Sequence, residues 1–173
     1  MEFGCLMKTV LARVGDKAGL GENPISHLDS VYRYSYSRLG QREEAEDIAC
    51  EVVQALPNPC RRQDLKLYML GMARRKVADR LRRRKPTASI RDRDVAPDSM
   101  VHTEDAVMVG QTLEGMNTDQ REALVCKYVI GMTSAEIGAL TGRTAEAVDS
   151  LLQRARAAFA TNWTLTTGEE ISL

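Results

Sequence analysis

The sequence has few of the residues from which metal centres and active sites are usually built. It holds only two histidines, and its four cysteines form no CxxC pair. Structural zinc sites usually need closely spaced ligand pairs. The chain also lacks a glycine-rich phosphate loop and a nucleophile elbow. We therefore expect no enzymatic activity, no bound metal and no cofactor.

Long hydrophobic runs are also missing. The short apolar stretch near the N-terminus is interrupted by Lys8, Arg13, Asp16 and Lys17. A helix that spans a bilayer needs about 20 consecutive apolar residues, and no segment offers them. We expect a soluble, cytoplasmic protein that does not insert into a membrane.

The chain has no net charge, but its charges are unevenly distributed. Lysine plus arginine and aspartate plus glutamate each number 24. Between Arg61 and Lys85, however, eleven cationic residues face only Asp64 and Asp79. Such asymmetry indicates a polyanionic partner, although a basic helix face is also compatible with an ordinary solvated surface. Apolar residues recur there at steps of three and four, which predicts a helix with one side in a core: Leu67, Leu70, Met72, Ala73, Val77, Ala78 and Leu81.

A second patterned region covers residues 117–159, which we interpret as three helices. The first is predicted at 119–129. Thr133 stands three residues before Glu136, the spacing of a capping box at a helix start. Gly142 suits the left-handed conformation that ends a helix, so a sharp turn should follow it.

The third of these helices begins after Thr144, a good N-cap residue. Its apolar stripe consists of Val148, Leu151, Leu152, Ala155 and Phe159. A short helix, a turn with glycine and a longer amphipathic helix are typical of the helix-turn-helix, which places its last helix in the DNA major groove. An ordinary helical hairpin would give the same pattern.

Three blocks of sequence together resemble the extracytoplasmic-function (ECF) group of bacterial RNA polymerase sigma factors. The likeness runs over residues 28–159. The blocks are VYRYSYSRLG (31–40) with REEAEDI (42–48) and Glu51; LYMLGMAR (67–74) with DRLRRR (79–84); and QREAL (120–124) with GMTSAEI (131–137) and AVDSLLQRAR (147–156).

This resemblance implies an all-α fold of two small helical domains joined by a flexible linker. The first would be a sigma region 2-like helical bundle at 24–85, which binds core polymerase and the minus-ten element. The second would be a sigma region 4-like helix-turn-helix domain at 104–160. The linker would cover 86–103, where proline and polar residues break the periodicity. An N-terminal extension (1–23) and a C-terminal tail (161–173) would flank the two domains.

The same resemblance assigns three sets of binding residues. Core polymerase would be contacted by Glu46, Asp47, Ile48 and Glu51. The minus-ten element would be contacted by Tyr68, Arg74, Arg75, Lys76, Arg80, Arg83 and Arg84, next to a base-capturing loop at 57–64. Tyr68 also shares the apolar stripe of its helix, which favours a position in the core. The minus-thirty-five element would be contacted by Arg143, Thr144, Glu146, Ala147, Asp149, Ser150, Gln153 and Arg154.

One of these residues departs from the family pattern. Relatives often carry arginine or lysine where this chain has Asp149. A carboxylate there would repel phosphates, although it can accept a hydrogen bond from cytosine N4 in the major groove. The helix would then read an unusual element or bind weakly.

The implied function is promoter recognition and transcription initiation. The implied partners are core RNA polymerase, promoter DNA and an anti-sigma factor, and the protein would be associated with the bacterial nucleoid. Two alternatives stay open on the sequence. One is a helix-turn-helix regulator that acts independently of polymerase, and the other is a sigma mimic that sequesters a regulator.

Overall fold

Throughout the part of the chain that the structure describes, the regular elements are helices. The computed structural model describes residues 23–57, 64–83 and 104–168, with side chains from residue 108 onward in the third range. These residues fall into two compact units, which divide between Arg93 and Asp94. None of the described helices is long and apolar enough to cross a membrane. The predicted all-α class is confirmed.

Some of the predicted segments lie outside the described residues. They are the N-terminal extension up to residue 22, most of the loop at 57–64, Arg84, the linker at 86–103 and residues 169–173 of the tail.

The described part of the first unit contains three helices after a short 3-10 turn at Pro24–His27. They are α1 (Leu28–Leu39), α2 (Arg42–Gln54) and α3 (Leu65–Arg83). Gly40 ends α1 with a left-handed φ of 71°, and its N–H donates to the Tyr36 carbonyl at 2.8 Å. Glycine adopts this conformation without the steric cost that a Cβ would add. The chain can therefore reverse into α2 within two residues.

One side of each helix fills the core of the first unit. The helices α1, α2 and α3 all contact one another. Burying a large apolar side chain contributes roughly 1.5–3 kcal/mol relative to leaving it in water. The largest fully buried side chains here are Val31, Tyr34, Ile48, Val52, Leu65, Met69, Leu70 and Val77.

The second unit is built around one long helix. Its elements are α4 (Glu104–Glu114), α5 (Thr118–Leu124), α6 (Ser134–Thr141) and α7 (Ala145–Thr167). The helix α7 contacts each of the other three. Its buried residues Val148, Leu151, Leu152 and Ala155 form the predicted apolar stripe.

Two elements of the second unit differ from their predicted extents. The helix predicted at 119–129 is α-helical only to Leu124 and continues as a π-helical turn at Val125–Val129. Val125 and Cys126 in this turn are buried in the core. The helix α7 continues past residue 160, the predicted end of the domain, and there Phe159 stacks on Trp163 with ring centroids 6.0 Å apart.

The predicted helix ends around the sharp turn are confirmed. Thr133 and Glu136 form a reciprocal capping box at the start of α6. Gly142 ends that helix with a φ of 75°, and the Thr144 side chain accepts from the backbone N–H of Ala147 at the start of α7. Each cap of this kind stabilises a helix by about 1 kcal/mol. The two caps and the glycine therefore define where α6 stops and α7 begins.

Candidate functional site

The acidic residues predicted to contact polymerase lie on α2, beside the basic helix α3. Glu51 accepts from the Lys76 ammonium at 2.6 Å and from Arg80 Nη2 at 2.8 Å. Arg80 Nη1 also lies 3.8 Å from an Asp47 carboxylate oxygen. We name Asp47, Glu51, Lys76 and Arg80 the α2–α3 ion cluster. It joins two residues predicted to bind polymerase to two residues predicted to bind DNA.

The electrostatics of this cluster favour an ionised Glu51. The hydrogen bond from Lys76 is the main cause that lowers the pKa of Glu51 below its ordinary value; partial burial opposes it, and Arg80 adds to the lowering. The Glu51 side chain is still 42% exposed. Water therefore screens these pairs, and each is worth at most about 1 kcal/mol of stability. Their main effect is to hold the charged groups in one arrangement.

The other two predicted polymerase contacts lie in different surroundings. Glu46 is partly exposed and pairs with Arg42 one turn earlier, at 2.7 Å. Ile48 is 0% exposed. It lies on the side of α2 that packs in the three-helix core, so its side chain is a core residue and not part of the accessible surface. The expectation for Ile48 is corrected accordingly.

The predicted minus-ten residues lie on more than one side of α3. Tyr68 and Arg75 are seven residues apart, and at 3.6 residues per turn they share one side of the helix. Arg75 is exposed and Tyr68 is partly exposed. Seven residues further on, Arg82 continues the row, exposed and paired with Asp79. The family motif did not assign Arg82 to the minus-ten contact, although its spacing of seven residues from Arg75 places it on the same side of the helix.

The remaining cations of α3 flank this row. Arg74 is partly exposed and Arg83 is exposed, whereas Arg84 lies outside the described residues. Lys76 and Arg80 are turned toward α2 and engaged with Glu51. The structure therefore separates the predicted minus-ten residues into an outward row and a pair held at the contact between two helices.

The predicted minus-thirty-five residues are all exposed. They surround the start of α7, on the sides of the helix that face solvent. The opposite side of α7 faces the core and carries the buried Val148 and Leu152. An N-terminal, solvent-facing part of the second helix is the part that enters the major groove in helix-turn-helix proteins. The exposed residues are Arg143, Thr144, Glu146, Ala147, Asp149, Ser150, Gln153 and Arg154.

Two side-chain contacts connect this surface to neighbouring helices. The Ser134 hydroxyl, at the start of α6, donates to Asp149 Oδ1 at 2.5 Å. Arg143 Nη2 donates to an Asp119 carboxylate oxygen on α5 at 2.5 Å. The positive charge of Arg143 is therefore partly neutralised within the unit, and Asp149 is connected to the first helix of the pair.

The backbone of the turn between the two helices of the motif passes close to Gly138. A Cβ added at this position would lie 2.5 Å from the Arg143 carbonyl oxygen, which real Cβ atoms essentially never do. The Gly138 carbonyl also accepts from the N–H groups of Gly142 and Arg143, at 2.8 and 2.9 Å. The sequence patterns do not single out Gly138, because its role depends on a contact across the turn.

Within the described ranges, no group of three or more histidine, cysteine or acidic side chains could hold a metal ion. Cys50 and Cys126 are buried cysteines that form no disulfide bond among the described residues. Burial, together with the carboxylates of Asp47, Glu46 and Glu51, raises the pKa of the Cys50 thiol. That thiol is therefore protonated and unreactive at neutral pH.

Comparison with known proteins points to one family. Residues 106–159 match the family model "Sigma-70, region 4", which covers most of the second unit. The chain is 32% identical over 162 residues to the ECF RNA polymerase sigma factor SigD of Mycobacterium tuberculosis, covering 83% of this chain and 76% of that protein. It is 25% identical over 158 residues to the ECF RNA polymerase sigma factor BldN of Streptomyces coelicolor, covering 83% and 60% respectively.

A solved structure shows the same fold. The sigma factor RpoE of Bartonella quintana, crystallised with the anti-sigma factor NepR, matches with a TM-score of 0.64 and 17% identity, covering 82% of this chain and 94% of that one. Sequence likeness across both units and the helix-turn-helix geometry agree with each other. The chain belongs to the family of ECF RNA polymerase sigma factors.

Proposed function

We propose that this protein binds core RNA polymerase and directs it to promoters through a minus-ten and a minus-thirty-five element. The observation that carries the proposal is the exposure of all eight predicted minus-thirty-five residues around the start of α7. In helix-turn-helix proteins this N-terminal, solvent-facing part of the second helix is the part that enters the major groove. The protein itself performs no covalent chemistry and takes no cofactor.

The polymerase contact lies on the acidic side of α2. Asp47 is exposed, and Glu46 and Glu51 are partly exposed. Charges at the edge of an interface mainly accelerate encounter and fix the register of the two partners. Because Glu51 is engaged with Lys76 and Arg80, a basic surface of polymerase would compete with these two cations for the same carboxylate.

The minus-ten contact lies on the outward row of α3. Tyr68 offers an aromatic surface on which an unstacked base can lie, and Arg75 and Arg82 offer charge to the backbone. Arg74 and Arg83 extend this basic surface, and Arg84 is the next residue in the sequence. Lys76 and Arg80 are at its edge and contribute to DNA binding to the extent that they leave Glu51.

The minus-thirty-five contact relies on local groups and not on overall charge. Residues 104–168 hold eight acidic and five basic residues. Such a unit repels DNA at long range, and the first unit supplies the basic stretch that attracts it. Contacts from Ser150, Gln153 and Arg154 to the groove would then select the site after polymerase has brought the factor to the promoter.

The further partners follow from the family. An anti-sigma factor would cover one or both units, and the protein would act in the cytoplasm at the nucleoid. Residues 24–85 and 104–160 would be the two functional domains, joined by a linker at 86–103.

Footprinting tests this function with three preparations: core polymerase alone, the protein alone, and the two together. We expect protection of two promoter segments only when both are present. Protection by the protein alone would indicate a helix-turn-helix regulator independent of polymerase. Binding to polymerase without any promoter protection would indicate a sigma mimic.

A further inference from the structure

Asp149 occupies an unusual position for an acidic residue. It is exposed on the second turn of α7, within the part of the helix that would approach the base edges. An unanchored carboxylate there would only repel the DNA backbone. This one is anchored, because the Ser134 hydroxyl of α6 donates to its Oδ1 at 2.5 Å.

The hydrogen bond to Ser134 leaves the second carboxylate oxygen of Asp149, Oδ2, available as an acceptor. Oδ1 accepts the hydrogen bond from the Ser134 hydroxyl, and Oδ2 has no hydrogen-bond partner among the described residues. Ser134 lies on the turn of α6 that the Thr133–Glu136 capping box holds in place. The orientation of Oδ2 is therefore fixed by the rigid start of α6. A fixed acceptor favours discrimination between ligands more than it favours overall affinity.

The chemistry of a carboxylate restricts which base it can accept from. An ionised carboxylate has acceptors only, so it rejects guanine and thymine, which present O6 and O4 acceptors in the major groove. Adenine presents an N6 donor beside an N7 acceptor, and the acceptor repels the carboxylate. Cytosine presents its N4 donor alone, which makes it the best match.

We propose that Asp149 is a specificity-determining residue that selects cytosine at one position of the upstream promoter element, and that Ser134 positions its carboxylate. This inference rests on the proposed function, because it presumes that α7 reads promoter DNA. Asp149 contributes little affinity, since its attraction to cytosine is offset by repulsion from phosphates. Its contribution is to specificity, because it lowers the affinity for sites with any other base at that position.

The test selects promoter fragments randomised in the upstream segment, using full-length protein bound to core polymerase, and sequences the bound fraction. We expect the wild-type protein to enrich cytosine at one position. Asp149→Ala should lose the preference at that position and keep it elsewhere. Asp149→Asn should extend the preference to adenine, because an amide pairs with both N6 and N7. Ser134→Ala should keep cytosine but discriminate less.

Binding measurements on the selected sequence give the size of the effect. Replacing that cytosine with thymine should weaken wild-type binding about fivefold, the lower end for a specific base contact. The same replacement should change binding of Asp149→Ala by less than about twofold. Thr166→Ala, exposed at the far end of α7, is the control and should behave like the wild type.

The outcomes separate this inference from the proposed function. If Asp149→Ala and Asp149→Asn enrich the same motif as the wild type, or if that motif contains no cytosine, the role of Asp149 is refuted while promoter reading stands. If the wild-type holoenzyme enriches no motif at all, both proposals are refuted.

Discussion

Glu51 of α2 accepts a hydrogen bond from Lys76 of α3 at 2.6 Å. A carboxylate expected to contact polymerase is thus held by a cation expected to contact DNA. The two predicted surfaces of the first unit meet at this pair. The consequence for binding is that neither residue can be replaced without changing the charge seen by the other surface.

A double-mutant cycle measures the strength of this pair. Glu51→Gln and Lys76→Met should each lower the free energy of unfolding slightly, and their coupling should be about 0.2–1 kcal/mol at low salt. The coupling should fall as salt is added. A coupling that is zero at low salt would show that the pair does not form in solution.

The same pair makes the free energy of unfolding depend on pH in the acidic range. Because the pKa of Glu51 is lower in the folded protein, its stabilisation is present above the unfolded pKa and is lost as pH falls through the folded pKa. The Glu51→Gln variant should therefore lose less stability than the wild type on acidification below about pH 4.3, the ordinary glutamate value. Parallel pH profiles for the two proteins would contradict the lowered pKa.

Arg75 and Arg80 should have different effects on DNA binding. Arg75→Ala removes a cation from the outward row of α3 and should reduce the salt slope of promoter binding by about 1. Arg80→Ala removes a cation engaged with Glu51 and should change the slope less. Binding isotherms over a range of salt concentrations measure both slopes. Equal slopes for the two variants would contradict the separation of these surfaces.

Arg154 and Asp149 should affect upstream binding in opposite directions. Arg154→Ala should weaken binding of the holoenzyme to the promoter, because a cation beside the groove is lost. Asp149→Lys should strengthen nonspecific binding, because a repulsive charge is reversed. Affinities for specific and random DNA at several salt concentrations test this. If both variants keep wild-type affinities, α7 is not at the DNA interface.

Gly138→Ala should destabilise the helix-turn-helix. The added Cβ would lie 2.5 Å from the Arg143 carbonyl oxygen, and relieving such a contact typically costs about 1–3 kcal/mol. Thermal unfolding and hydrogen exchange of α6 and α7 measure the effect. Ala139→Ser, on the exposed side of the same helix, is the matched control and should shift stability by less than about 0.5 kcal/mol. Equal melting temperatures for the two variants would contradict the close approach.

Tyr32 should make the protein sensitive to alkali. Burial, with a smaller effect from Glu46, raises the pKa of Tyr32 to about 12, and its hydroxyl finds no hydrogen-bond partner among the described residues. Between pH 10 and about 12 the unfolded chain releases this proton while the folded chain keeps it, so stability falls as pH rises. Tyr32→Phe should reduce this fall and be nearly neutral at pH 7. An unchanged alkaline profile would contradict the raised pKa.

Local patterns were sufficient to predict most of the fold. The caps at Thr133 and Thr144 and the glycine at 142 define helix ends through bonds within a few residues, so their positions can be inferred from the sequence. The apolar stripe predicted on α7 is buried at Val148, Leu151, Leu152 and Ala155 and partly buried at Phe159. The stripe predicted on α3 was too wide: Leu67, Met72 and Leu81 are only partly buried and Ala78 is exposed, whereas Leu70, Ala73 and Val77 are buried.

Contacts between distant residues could not be predicted in this way. The bonds from Lys76 and Arg80 to Glu51 join residues 25 and 29 positions apart, and helical periodicity within α3 does not reveal which cations turn toward α2. The bond from Ser134 to Asp149 likewise depends on how α6 and α7 cross. Ile48 belongs to the apolar stripe of α2, and its expected role at the surface came from the family motif.

Run-off transcription with purified core polymerase tests the central claim most directly. The template carries a promoter taken from the fragments that the holoenzyme selects, and a matched template has its upstream and downstream elements scrambled. We predict a transcript of one defined length on the first template, dependent on this protein, and none on the second. Transcription that is the same with and without the protein would contradict the claim that it is an initiation factor.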